Sequence, residues 1–292
     1  MRFSLAESMI EPSMYAPLVQ AAEAAGYDSF VVPDSICYPE EGDSNYPYNA
    51  DGNREFLEGK PFIEPFSLIP ALAAVTEKIR FTTFVVKLPI RHPVITAKQV
   101  TSVGVITGGR FGFGVGTSPW REDYRITEIP WEKRGARMNE CIEIINGLQT
   151  GDQFGYSGEF YDFPACQLCP VPDQKVPILV GGHSKMALER AGRLGDGWMH
   201  AGGDADELSR MMTTVNEIRT DAGRADEPFE VHAISIDAYT PDGVARLAEA
   251  GVTDCIVGFR DAYQPGPDPQ TLDEKLTAMQ WYADEVIAKY RG

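Results

Sequence analysis

The sequence predicts an α/β fold of the (β/α)8 TIM-barrel class, and three observations carry that reading. Eight strand-like runs follow one another along the chain, nearly all separated by helix-like runs, which is the order of a closed parallel barrel rather than of an open doubly wound sheet. A length of 292 residues suits one such barrel, so a single domain over 1–292 is expected. Residues 80–119 hold one whole repeat: a β-branched and aromatic run at 81–87, a helical period over 93–107 opened by Pro93, and an apolar run at 111–115. Both strands of that unit end in polar or glycine-rich segments, Lys87-Leu88-Pro89 and Gly116-Thr117-Ser118-Pro119, where a parallel barrel gathers its binding groups.

In chain order, the first strand is read at 2–7 from a weak alternation, and Leu18, Val19, Ala22 and Ala25 make the stripe of a helix at 15–25 that Gly26 closes. The second strand, 28–32, stops abruptly at Pro33-Asp34-Ser35. Residues 36–64 then intersperse proline and glycine with Tyr38, Tyr46, Tyr48 and Phe56. That stretch is too long for an ordinary connection and too aromatic for disorder, so it reads as a lid inserted after strand 2. A helix at 65–76 leads into the repeat unit already described, and a helix at 131–148 turns Met138, Cys141, Ile142, Ile145 and Leu148 to one face. Between 150 and 172 the rhythm breaks, and the run from Phe154 to Tyr161 reads as a small hairpin inserted before strand 5. Strand 5 is the buried-type run 176–180, ending in Gly181-Gly182-His183-Ser184. A helix at 185–194, a short strand around Trp198, a helix at 204–222, a strand at 229–238, a helix at 241–250 with Pro241 in its first turn, a strand at 253–257 and a closing helix at 271–290 complete the pattern.

With 43 acidic against 26 basic residues the formal charge is −17, which makes nucleic acid or an anionic membrane surface a poor partner. No basic region followed by an apolar run opens the chain, and no apolar stretch is long enough to span a bilayer, so a soluble, cytoplasmic protein is expected. Five scattered cysteines suit reduced thiols, and Cys166-x-x-Cys169 lacks the second half of a zinc site, so no metal is expected.

The segment Gly112-Phe113-Gly114-Val115-Gly116 lacks the G-x-G-x-x-G spacing of a dinucleotide fingerprint, and no Walker, HExxH or G-x-S-x-G motif occurs. Gly181-Gly182-His183-Ser184 has two readings: a phosphate seat, where glycines admit a ligand to the backbone beside a helix N-terminus, or a plain turn with a capping serine. Asp34, where a strand meets the lid, could orient a ring or accept a proton, or simply cap the loop. Lys87 could bind an anion or form a Schiff base, against the commoner solvated rim lysine. His92 reads as a cap before Pro93, and Trp198 and Met199 as core.

Taken together, AAEAAGYDSFVVPDS, LPIRHPVITAKQVTSVGVITGGRFGFGVGTS, WEKRGARMNECIEII and PILVGGHSKMALERAGRLGDGW, in this order and spacing, resemble the luciferase-like monooxygenase superfamily. They are similar in particular to its actinobacterial branch that uses the deazaflavin coenzyme F420. The resemblance runs through most of residues 1–199 and fades beyond. It implies a (β/α)8 barrel that holds a flavin or deazaflavin at the C-terminal strand ends. By position, it implies Asp34 beside the deazaflavin ring, and Thr83 and Phe84 in a bulge, often with a non-proline cis peptide, that supports the ring from behind. It also implies Gly116, Thr117 and Ser118 at a cofactor-contacting strand end, and Gly181 and Gly182 as the backbone that receives the phosphate. In the F420-dependent sugar-phosphate dehydrogenases of the superfamily a histidine and a glutamate occupy the positions of Ser35 and Pro119, so their specific mechanism is not implied.

The expectation is an F420-dependent oxidoreductase that moves a hydride between deazaflavin and a small organic substrate. Asp34 stands nearest the chemistry, and Ser35, Tyr38, Tyr46, Tyr48 and Lys87 line the substrate or lid side. Its rivals are an FMN-dependent monooxygenase, a Schiff-base aldolase using Lys87 and a non-catalytic deazaflavin carrier. The partner expected is a small molecule, with a homodimer among the assemblies the sequence allows.

Overall fold

A computed structural model describes residues 1–42, 46 and 52–292. Its strands in order are β1 (Arg2–Leu5), β2 (Ser29–Val32), β3 (Arg80–Thr83), β4 (Val86–Lys87), β5 (Phe111–Gly116), β6 (Phe154–Ser157), β7 (Asp162–Cys166), β8 (Ile178–Gly181), β9 (Gly197–His200), β10 (Glu230–Ile234) and β11 (Asp254–Val257). Setting aside the antiparallel β6-β7 hairpin, the strands pair in the order β3-β2-β1-β11-β10-β9-β8-β5-β4, and β3 also pairs with β5, which closes a ring of eight parallel positions. The third position is shared by two pieces: Phe81 lies opposite Phe111 in β5, and Val86 opposite Val115 further along it. Between the pieces the Phe84–Val85 peptide is cis, one residue beyond the Thr83-Phe84 bond expected from the sequence.

The surrounding helices are α1 (Tyr15–Ala24), α2 (Pro65–Ala73), α3 (Pro93–Ile106), α4 (Arg121–Ile126), α5 (Arg134–Leu148), α6 (Lys185–Leu194), α7 (Ala205–Asp221), α8 (Pro241–Glu249), α9 (Leu272–Tyr282) and α10 (Ala288–Arg291). Local chemistry sets many of their starts. The side chains of Glu64, Ser184, Asp204, Thr240 and Thr271 each accept from a backbone N–H in the first turn, and Thr271 with Glu274 forms a reciprocal capping box. His92 stands at the N-cap position of α3, but its side chain makes no capping bond.

Several expected boundaries move for visible reasons. The strand expected at 229–238 ends at Ile234, because Ser235 accepts from the Asp237 N–H and starts a 3-10 turn over Ile236–Tyr239. The helix expected from 131 begins at Arg134, after Lys133 in a left-handed conformation with φ 56°. The hairpin is longer than the 154–161 reading, its second strand running to Cys166. Helix α4 was not foreseen at all, and a π turn over Ala283–Ile287 separates α9 from α10.

Two apolar layers hold the barrel. Outside it, one core cluster joins strand residues such as Phe3, Phe30, Phe81, Phe113, Val180 and Trp198 to the helices. Inside, Val31, Leu179, Met199 and Ile256 make a smaller plug, with Ala6, Phe84, Val85 and Ile234 packed against it. Below the plug the interior turns polar: Arg2 reaches Glu230 at 2.5 Å and Asp254 at 3.2 Å, Arg80 reaches Glu230 at 3.2 Å, and His232 Nε2 lies 2.7 Å from Glu230. Paired charges close this end of the barrel, so the open end is the one where β4, β5 and β8 finish.

Candidate functional site at the C-terminal ends of the strands

The alternate glycines of β5 are shaped by the broken third strand. A Cβ on Gly114 would lie 1.8 Å from the Thr83 carbonyl oxygen and 2.6 Å from Met199 Sδ, and one on Gly116 would lie 2.7 Å from Val85 Cγ2. The Thr83 hydroxyl donates to the Gly114 carbonyl at 2.7 Å, locking the break against β5. On the far side of Val85, a Cβ on Gly181 would come within 3.0 Å of its Cγ1. Val85 is thus seated between Gly116 and Gly181, and it and Phe84 stay half-buried while their neighbours are buried. This presents a half-buried apolar ledge above the inner plug.

Asp34 is buried, and both of its oxygens are engaged. Oδ1 accepts from Arg91 Nη2 at 2.9 Å and Oδ2 from the Lys87 backbone N–H at 2.9 Å. In this arrangement the carboxylate ties β2 to β4; Ser35 beside it is half-buried. Lys87 is no solvated rim lysine: it is 7 % exposed and its Nζ lies 2.7 Å from Asp123 Oδ2. The same Asp123 oxygen accepts from Ser118 Oγ at 2.6 Å, and Ser118 Oγ accepts from the Trp120 N–H at 3.0 Å. Ser118 itself has φ 62°, and the Thr117 carbonyl accepts from the Tyr124 hydroxyl. The segment Gly116-Thr117-Ser118 is therefore braced by α4, whose Glu122, Asp123 and Tyr124 are all buried.

Sequence reasoning missed α4, Trp120 and Arg91. The signal for the helix was there: Ser118-Pro119 followed by Glu122 and Asp123 is a helix-start pattern with acids in the first turn. The partners of Asp34 and Lys87 had no such signal, since they come from 57 and 36 residues away along the chain.

Described residues of the segment inserted after β2 meet this wall. Tyr46 stacks on Trp120 with ring centroids 5.3 Å apart and planes 11° off parallel, and it also meets Phe56 at 5.3 Å and Tyr263 at 5.8 Å. Phe56 sits edge-on to Tyr263 at 5.1 Å. Arg54 lies 5.5 Å from the Tyr38 ring and 3.6 Å from Glu122. Tyr38 and Tyr46 thus face protein partners from the lid and the strand-end loops, while Tyr48 lies outside the described residues.

At the end of β8, Gly182 has φ 123°, a conformation that L side chains rarely adopt, and a Cβ there would meet the Ala187 Cβ at 3.0 Å. Ser184 Oγ accepts from the Ala187 N–H, so the capping serine of the plain-turn reading is present, at the N-terminus of a ten-residue helix. Trp198 and Met199 are fully buried, as read, and the Trp198 Nε1–H donates to the Gly182 carbonyl at 2.9 Å. His183 stacks on His200 at 4.5 Å with planes 11° apart, and its Nε2 accepts from the Ala201 N–H. Burial and the neighbouring His183 push His200 down to about 4, and burial lowers His183 as well. His200 Nε2 is buried with no hydrogen-bond partner among the described residues.

Among the described residues, no three His, Cys, Asp or Glu side chains converge as metal ligands, and no helix is long and apolar enough to cross a membrane.

The family model described as luciferase-like monooxygenase matches residues 7–287. An uncharacterized protein of Mycobacterium tuberculosis (strain H37Rv) is 56 % identical over 289 residues, covering 99 % of this chain and 100 % of the relative. An F420-dependent glucose-6-phosphate dehydrogenase of Gordonia bronchialis is 27 % identical over 250 residues, 82 % of this chain and 68 % of the relative. Among solved structures, an F420-dependent secondary alcohol dehydrogenase in complex with an F420-acetone adduct superposes with a TM-score of 0.78 at 15 % identity over 98 % of each chain. A type II Baeyer–Villiger monooxygenase in complex with FMN, the oxygenating constituent of 3,6-diketocamphane monooxygenase from Pseudomonas putida, superposes with a TM-score of 0.71 at 16 % identity, over 99 % of this chain and 98 % of that one. At such identities the likeness of these two structures is one of fold.

Proposed function

The chain belongs to the luciferase-like monooxygenase family, and from that premise we propose that it is an F420-dependent oxidoreductase exchanging a hydride between the deazaflavin and a small organic substrate. The observation that carries the reading is the pairing of a half-buried apolar ledge, Phe84 and Val85, with a strand end at Gly181-Gly182 whose second glycine has φ 123°, a conformation L side chains rarely adopt, beside the capped start of α6. A flat ring bearing a phosphate matches those two features together, and the F420-dependent relative supports the deazaflavin in particular.

In this reading the Gly181-Gly182 backbone and the α6 N-terminus would hold the phosphate, and Gly116, Thr117 and Ser118 would border the ring with the ledge that Thr83 and Phe84 begin. The bound deazaflavin would supply the hydride chemistry. This chain's residues would position and shield: Asp34 keeps β2 and β4 in register below the ring, and the Tyr46-Trp120-Phe56-Tyr263 cluster excludes water from the mouth. Ser35 and Pro119, standing where the sugar-phosphate dehydrogenases carry histidine and glutamate, direct the proposal away from a sugar phosphate. The Schiff-base alternative loses the free amine it needs, because Lys87 is ion-paired to Asp123 inside the wall.

The test is a titration of the purified protein with F420 and with FMN, followed by ligand fluorescence, in the native chain and in Gly182→Val. Saturable binding of F420 that weakens by about tenfold or more in a folded Gly182→Val protein is expected. Binding of FMN alone would move the assignment to the flavin monooxygenases. F420 binding without turnover of any carbonyl or alcohol would favour the carrier.

A further inference from the structure

Asp34 stands just before the inserted segment 36–64 and Glu64 at its far end, and one side chain touches both of these residues. Arg91, on the turn after β4, donates from Nη2 to Asp34 Oδ1 at 2.9 Å and from Nη1 to Glu64 Oε1 at 3.3 Å. The two arms differ. The Asp34 side chain is 1 % exposed, and its other oxygen accepts from the Lys87 N–H, so that arm is rooted in β4. The Glu64 side chain is 41 % exposed, and it also caps α2 by accepting from the Ser67 N–H at 3.0 Å. The guanidinium lies 5.8 Å from the Phe66 ring, which limits how it can turn.

We propose that Arg91 is a positioning residue that clasps both ends of the lid segment, with Asp34 as its fixed arm and Glu64 as its releasable one. A guanidinium suits this task because its planar fork can serve two carboxylates at once, whereas an ammonium on a flexible stem engages one well and leaves the other. Parting an exposed carboxylate paired at 3.3 Å costs far less than leaving the buried Asp34 carboxylate without its partner, so the clasp opens at the Glu64 side first. Opening there would loosen the return of the segment without disturbing the Asp34 tie that holds β2 and β4 together. The proposal rests on the lid reading only for its meaning in catalysis; the clasp itself is a matter of local order.

Hydrogen exchange of the full chain without added cofactor tests it. The reporters are the amides of Tyr46, Leu57 and Glu58, which donate within the segment to Gly52, Arg54 and Glu55. Two variants divide the arms. Glu64→Asp keeps a good helix cap for α2 but draws the carboxylate back from Arg91 by one methylene, and Arg91→Lys keeps a cation for Asp34 but removes the fork. Both should speed exchange at the three reporters by about tenfold while amides of α2 and β5 keep native protection. Unchanged reporters in Glu64→Asp would overturn the clasp, and so would exchange rising equally in α2, which would make Arg91 a general brace. If Arg91→Lys does not fold, Glu64→Asp decides alone. A segment that covers no cofactor would still respond in this assay, so failure of the lid reading, seen as unaltered turnover after lid removal, stays distinct from failure of the clasp.

Discussion

Replacing Gly114 with alanine should break the wall of the site, and the structure sets the size of the effect. The added methyl would sit 1.8 Å from the Thr83 carbonyl oxygen, well over an ångström inside van der Waals contact, and 2.6 Å from Met199 Sδ. The sulfur can swing away, but the carbonyl belongs to the strand backbone, so β3 must move off β5. That motion breaks the buried Thr83 to Gly114 hydrogen bond of 2.7 Å, worth about 1 kcal/mol, and overpacking adds about 1–3 kcal/mol. The expected loss is about 3 kcal/mol, or a fall in Tm of about 5 °C for a domain of this size. Gly112 is the internal control: a Cβ there meets side-chain atoms alone and none nearer than Thr82 Oγ1 at 3.3 Å, so Gly112→Ala should cost about 1 kcal/mol or less. Urea unfolding followed by circular dichroism measures both variants. Equal midpoints for Gly114→Ala and the native protein, or equal losses for the two alanines, would show that the glycines are not there to seat the broken strand. The same displacement shifts Phe84 and Val85, so F420 affinity should fall with stability in Gly114→Ala and hold in Gly112→Ala.

Two further outcomes are expected. Excising residues 52–60 of the proposed lid should spare F420 affinity because the proposed phosphate seat lies at Gly182, yet reduce turnover strongly once a substrate is known; sedimentation of the same variant tests whether the segment serves a homodimer instead, in which case assembly is lost and the dissociated subunit stays active. Acid should destabilise the fold in two steps. His200, lowered to about 4 by burial and by His183, gives stability that is complete above pH 6.5 and is lost as pH falls from 6.5 to about 4, on the order of 3 kcal/mol. For Glu230 burial acts upward, but the His232 hydrogen bond and the charges of Arg80, His232 and Arg2 outweigh it and hold the carboxyl at about 2, so its contribution, also about 3 kcal/mol, fades from pH 4.5 to about 2. Denaturant midpoints against pH in His200→Gln should lose the first step and keep the second; a first step of native size would remove His200 from the account.

The sequence by itself determined the barrel, the insertions after β2 and before β8, and the strand ends at which a site could form. These rest on local periodicity, on turn residues and on strand-helix order, all properties of neighbouring residues, and strong enough that the motifs carried the family as well. It did not determine what Asp34 and Lys87 do. Each is a single polar residue after an apolar run, and its partner is fixed by how separate strand ends converge: Arg91 and the Lys87 backbone for Asp34, Asp123 for Lys87. Tertiary structure also decided that Gly114, Gly116 and Gly181 make room for Thr83 and Val85, since a glycine looks the same in sequence whether a ligand or another strand fills the space it leaves. Closure of the barrel brings those groups within hydrogen-bond and van der Waals range, and the energies that fix their roles fall off over a few ångströms, a distance that spacing along the chain does not encode.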